Sequence, residues 1–141
     1  MGKISEKDRK QLKDIFKSLP QSVKIVMFTQ EIECEHCRLT RELLQEVAEL
    51  SEKILLEVHD FVKEADLAKT YNIDKIPAII LIGDGDYGIR FYGMPAGYEF
   101  TTFIQDIINV SQRDPKLPHD VLAVLSKVYK PVHIQVMISP T

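Results

Sequence analysis

The chain of 141 residues carries 18 basic and 21 acidic side chains, a formal charge of −3, and is 45% hydrophobic, with two cysteines and no tryptophan. That is one domain's worth of chain, with enough Ile, Leu and Val to bury a core, which excludes disorder as the main state. No basic stripe offers to neutralise phosphates, and no apolar run approaches the roughly 20 residues that cross a bilayer, so neither nucleic acid nor a membrane is an expected partner.

In chain order, residues 1–20 form a charged amphipathic stretch rather than a signal peptide, and the expected location is the cytoplasm. Leu12, Ile15, Phe16 and Leu19 at helical spacing, with Ser5 as cap and Pro20 as terminator, predict a first helix. Residues 23–28 are short, mostly apolar and rich in β-branched residues, which predicts a buried strand. Leu39, Leu43, Leu44, Val47 and Leu50 then predict a helix with Glu42, Gln45, Glu46 and Glu49 on its outer face. Residues 54–62 read as a second strand and 64–71 as a short helix closing on Asn72. A strand, helix, strand, helix series implies parallel pairing of the first two strands. Residues 78–82 and 87–92, separated by Gly83-Asp84-Gly85-Asp86, predict a β-hairpin. Phe100, Phe103, Ile104, Ile107 and Ile108 mark a further helix that fades by Asp114-Pro115. Val121, Leu122, Leu125 and Val128 suggest one more, and residues 132–138 alternate as a strand does.

Both cysteines fall within Cys34-Glu35-His36-Cys37, at the start of the second helix. A disulfide across so short a loop removes little entropy from the unfolded chain, so chemistry explains the pair better than stabilisation does. Three chemistries are open. In a redox dithiol, one exposed thiol at the positive end of a helix attacks a disulfide and a second thiol, one turn inside, resolves the mixed disulfide. A structural zinc site needs four ligands, and only His36, His59, His119 and His133 stand beside the thiolates, none at the spacing of a second ligand pair. Two inert buried thiols are the third reading, and the flanking Glu31, Glu33, Glu35 and Arg38 argue against their burial. The strand-helix-strand setting favours the redox reading, and no metal site is expected.

Pro77, after Ile76 at the start of the third strand, brings the chain to resemble the thioredoxin superfamily. That resemblance implies a cis-proline facing the dithiol and a preceding residue whose backbone pairs with substrate. The stretches Glu33-Cys34-Glu35-His36-Cys37, Val58-His59-Asp60-Phe61 and Tyr71-Asn72-Ile73-Asp74-Lys75-Ile76-Pro77-Ala78 are similar to the N-terminal unit of the glutaredoxin-like protein disulfide oxidoreductases of hyperthermophiles. So are residues 106–111 and, more specifically, residues 88–100 with Tyr92-Gly93-Met94-Pro95-Ala96-Gly97-Tyr98. Members of that family join two thioredoxin-fold units, each with its own dithiol, the second following a strand and a Thr-Pro-Thr-like step much like residues 134–141.

The resemblance implies an α/β thioredoxin fold, a four-stranded mixed sheet flanked by helices, with an extra N-terminal helix. Residues 1–113 would form the redox unit, and residues 114–141 a linker, helix and strand that begin a second unit. The expected function is thiol-disulfide exchange with protein or peptide disulfides, Cys34 attacking and Cys37 resolving, with no cofactor beyond the redox-active disulfide. His36 and Glu35 are the expected tuning residues, opposed in sign. Ile76 and Pro77 are the expected substrate-docking residues, with residues 92–94 as rim. A reductase or oxidant recycles the pair, and the 132–138 strand offers an edge for a dimer. The rival reading is a redox-idle thioredoxin-fold module or a dimer sharing zinc. Unlike thioredoxin, the chain has Glu33 before the first cysteine, and Met27 and Phe28 where thioredoxins place a buried acid. Glu57 and Asp60 could substitute, but both read better as a charged sheet edge, and His59 as a strand residue with a satisfied partner. The glutathione-binding pattern of glutaredoxins is absent.

Overall fold

The computed structural model describes residues 2–139. Ser5 caps α1 (Glu6–Phe16), its hydroxyl accepting from the Asp8 backbone N–H at 3.2 Å, as the sequence predicts. The apolar stripe is narrower than expected: Leu12 and Phe16 are buried while Ile15 stays exposed. Beyond Phe16 the chain tightens through Ser18 and Leu19, and Leu19 returns to the core before Pro20.

The sheet has the order β2-β1-β3-β4. Strand β1 (Val23–Thr29) lies second from one edge, parallel to β2 (Ile54–Asp60) and antiparallel to β3 (Ala78–Ile82). Helix α2 (Glu35–Ala48) makes the crossover that a parallel pair requires. After α3 (Ala65–Thr70), β3 and β4 (Asp86–Tyr92) form the predicted antiparallel hairpin, closed by Gly83 donating to the Gly85 carbonyl. Helix α4 (Tyr98–Gln112) follows, and the short α5 (His119–Leu125) has no buried residue.

Alternation along β1 separates two cores. Val23, Ile25 and Met27 join Leu44, Val47, Ile79, Leu81, Phe103 and Ile107 on the face covered by α1, α2 and α4. Val26 and Phe28 join Ala68, Ile73, Ala78 and Ile80 on the face covered by α3. A strand covered on both faces reads as a continuous apolar run, which is why β1 was legible without a clean period of two. Edge strand β2 behaves oppositely: Leu55, Glu57 and Val58 are exposed, and Glu57 pairs with Lys24 at 3.4 Å. The reading of Glu57 as a charged sheet edge is therefore correct.

The strand expected over 132–138 is not there. Residues 131–139 form neither helix nor strand and are exposed throughout. Alternation is only half of what a strand requires; the other half is a neighbouring edge to accept its ladder hydrogen bonds, and this segment pairs with no described strand. Pro140 and Thr141, part of the step likened to the second unit's entry, lie outside the described residues.

Candidate active site

Pairing register puts the expected site residues at one end of the sheet. Phe28, at the C-terminal end of β1, pairs with Ala78, which pairs in turn with Tyr92; Thr29 pairs with Asp60. Pro77 immediately precedes Ala78, and the Ile76-Pro77 bond is cis. Gly93, at a φ of 83° that favours glycine, donates its N–H to the Pro77 carbonyl at 2.9 Å and fixes the end of β4 against the proline. Of the proposed rim, Tyr92 is exposed with the Lys75 ammonium 4.5 Å from its ring centroid, while Met94 packs against the core.

From Thr29 the chain turns through residues 30–33, with the Gln30 side-chain amide donating to the Ile32 carbonyl at 2.5 Å and Glu33 in the left-handed region. Cys34 is the N-cap of α2. It is disulfide-bonded to Cys37, with 5.4 Å between the Cα atoms, and the Cys37 N–H donates to the Cys34 carbonyl at 3.3 Å. The pair is asymmetric: Cys34 is half-buried, whereas Cys37 is only 1% exposed. This corrects the expectation that flanking charges keep both thiols out of the interior. The helix turns residue 37 inward with Thr40 and Leu44 while Glu35, His36 and Arg38 face out.

The side chains of Glu31, Glu33, Glu35 and His36 are exposed and make no ion pair with any described residue. Beside the cysteine stand two cations instead, Arg38, noted in the sequence as a flanking charge, and Arg41, which sequence reasoning missed. A cavity of about 160 Å³ is lined by Thr29, Gln30, Glu31, Cys34, Arg38 and Arg41. Arg38 reaches Glu42 at 3.3 Å, whereas Arg41 has no partner among the described residues. Positions 34, 38 and 41 recur at i, i+4 and i+7, and that spacing was the available signal for Arg41.

No acid stands in for the buried carboxylate of thioredoxins on β1, where Met27 and Phe28 are fully buried. Asp60 accepts the backbone N–H groups of Lys63 and Val62, which hold its carboxyl below the usual range despite some burial. His59 is satisfied, its ring 2.9 Å from Glu64 and 3.4 Å from Glu57, and it packs 5.6 Å from the Phe28 ring. Its bond, with the Asp60 N–H, holds the Glu64 carboxyl low. Among the described residues no three His, Cys, Asp or Glu side chains converge as metal ligands.

The family profile of thioredoxin matches residues 5–106, spanning all four strands and both cysteines. The chain belongs to the thioredoxin family. This thioredoxin-family domain is 31% identical over 99 residues to an NADH dehydrogenase of Bacillus subtilis, covering 70% of the chain but 17% of that protein. It is 30% identical over 102 residues to the F component of the alkyl hydroperoxide reductase of Staphylococcus epidermidis, covering 72% of the chain and 18% of that protein. The domain thus spans under a fifth of the length of these curated relatives. Among solved structures, the F component of the alkylhydroperoxide reductase of Enterococcus faecalis superposes with a TM-score of 0.79 at 29% identity, over 90% of this chain and 62% of that one. A protein disulfide oxidoreductase of Aeropyrum pernix also gives 0.79, at 21% identity over 87% of this chain and 54% of that one, a likeness of fold. Among the described residues no helix is long and apolar enough to cross a membrane.

Proposed function

We propose that this domain exchanges disulfides with protein or peptide substrates through Cys34 and Cys37. The observation that carries the reading is the asymmetry of the pair: Cys34 lines an open cavity at a helix N-terminus, while Cys37 is buried one turn inside. In the reduced domain the Cys34 thiolate attacks a substrate disulfide, its Sγ bonds to one sulfur, and the other sulfur leaves as a thiolate. Cys37, deprotonated, then attacks Cys34 Sγ, re-forming the Cys34–Cys37 disulfide and releasing the second substrate thiol. Two electrons have moved to the substrate, and an external dithiol or reductase restores the pair. Helix dipole and His36 favour the thiolate, and Glu35 opposes it.

The substrate segment lies extended beside Ile76-Pro77. In support, the Ile76 backbone precedes β3 and has no backbone hydrogen-bond partner among the described residues, leaving its polar groups for an incoming strand. The names of the relatives, an NADH dehydrogenase and a hydroperoxide reductase component, support the reducing direction. We propose that residues 114–141 begin a second unit; in support, the Enterococcus superposition covers 90% of the chain, more than residues 1–113 alone supply, and apolar side chains such as Val124, Ile134 and Val136 stand exposed.

Reduction of insulin by dithiothreitol tests the exchange reading. The wild-type domain accelerates it, Cys34→Ser abolishes the acceleration, and Cys37→Ser accumulates a mixed disulfide. An inert wild type overturns the reading, in favour of the zinc-sharing dimer if it binds zinc stoichiometrically and of the redox-idle module if it does not.

A further inference from the structure

The cavity beside Cys34 carries information about the substrate that the exchange chemistry does not use. Its wall holds two guanidinium groups, and they are not equivalent. Arg38 is largely exposed and is ion-paired with Glu42 at 3.3 Å, a carboxylate that Lys3 also reaches at 3.4 Å. Arg41, one turn further along α2, is half-buried against the same cavity and forms neither a hydrogen bond nor an ion pair with any described residue. A guanidinium presents a rigid fork of donors suited to a carboxylate, and one held part-buried and unpaired keeps that capacity for an incoming group.

We infer that Arg41 is a specificity-determining residue that receives a carboxylate of the substrate, so that the preferred partner is a peptide disulfide with an acidic side chain next to the attacked cysteine. The inference rests on the exchange reading above and specifies its substrate class. Glu31 lines the same cavity, and Glu33 and Glu35 are exposed close by, all three without an ion-pair partner among the described residues. They repel a polyanion, so the class is narrowed to a segment with one carboxylate placed for Arg41, rather than an acidic tract. Cys34, which shares the cavity, is where such a segment presents its disulfide.

The test uses the full chain, reduced, and two peptide disulfides of one sequence, differing only in Glu or Gln beside the attacked cysteine, with second-order exchange rates measured at low and high salt. Wild type prefers the Glu peptide by about tenfold at low salt, and the preference shrinks as salt screens it. Arg41→Gln brings the ratio close to one, Arg41→Lys restores part of it, and Arg41→Glu reverses it when a Lys peptide is included. Because the readout is a ratio, a general loss of rate does not mimic the effect. Exchange with both peptides at equal rates in wild type, or an unchanged ratio in Arg41→Gln, overturns the inference while leaving the exchange reading intact. Arg41 dependence with glutathione disulfide but with neither peptide also overturns it, assigning the cation to a small anionic disulfide. No exchange with any disulfide overturns both.

Discussion

Reducing the Cys34–Cys37 disulfide should cost this domain little stability, and the size of the loss separates a redox pair from a structural staple. The bridge closes a loop of sequence separation three. In the chain-entropy account, cross-linking so short a loop restricts the unfolded ensemble by about 2 kcal/mol at 25 °C, against about 4.7 kcal/mol for a loop of about 100 residues. The folded state has little to lose with it. The principal apolar core, from Phe16 and Val23 through Leu44 and Phe103 to Val110, is built without either sulfur, and Cys37 remains as a small apolar side chain when reduced. We expect urea unfolding at neutral pH, with and without excess dithiothreitol, to give the same m-value and a loss of at most about 2 kcal/mol on reduction. The corresponding fall in Tm is no more than about 8 °C. A loss above about 4 kcal/mol, or a reduced chain that no longer unfolds cooperatively, would refute the reasoning and make the pair a staple.

Three further outcomes follow from the packing. Phe103→Ala removes a fully buried ring that meets Phe91 edge-on at 5.5 Å, and denaturant unfolding should show a loss of about 3–5 kcal/mol; a loss under about 1 kcal/mol contradicts the burial. Glu46 is opposed by burial, but the N–H groups of Lys3 and Ile4, at 2.5 and 3.0 Å, and the Arg9 guanidinium at 3.6 Å overcome it and depress its pKa. Its stabilisation is therefore complete above its ordinary value of 4.5 and is lost as pH falls through the lower folded value. Glu46→Gln should thus cost about 1 kcal/mol at pH 7, with wild type and variant converging in acid; a pH-independent gap in chemical denaturation refutes the charge argument. A chain ended after Leu117 discards α5 and residues 126–139, none of them buried, and should match the full chain within about 0.5 kcal/mol in calorimetry; a larger loss shows that the tail packs on the domain.

What local physics decides was legible in advance. The helix start at Ser5, the buried β1 run, the glycine-aspartate hairpin and the paired thiols at the head of α2 each depend on residues close in sequence, so propensity and periodicity expose them. Resemblance supplied the proline, since the geometry of the Ile76-Pro77 bond follows from no local rule.

Tertiary structure decided the rest. Which thiol is reachable depends on how α2 is rotated against the sheet, and the charged neighbours of Cys37 concealed that its own side chain turns inward. Arg41 became part of the site only when α2 and the end of β1 enclosed a shared cavity, and its lack of a partner depends on the reach of every surrounding carboxylate. Residues 132–138 show the same division from the other side. Their alternating pattern is a property of the sequence, but a strand is a property of two backbones, because its hydrogen bonds are made between chains or segments and never within one. The sequence by itself determined a dithiol on a helix start within a thioredoxin-like order of elements. Only the fold determined how deeply Cys37 is buried while Cys34 stays half-buried, and which cations line the cavity beside Cys34.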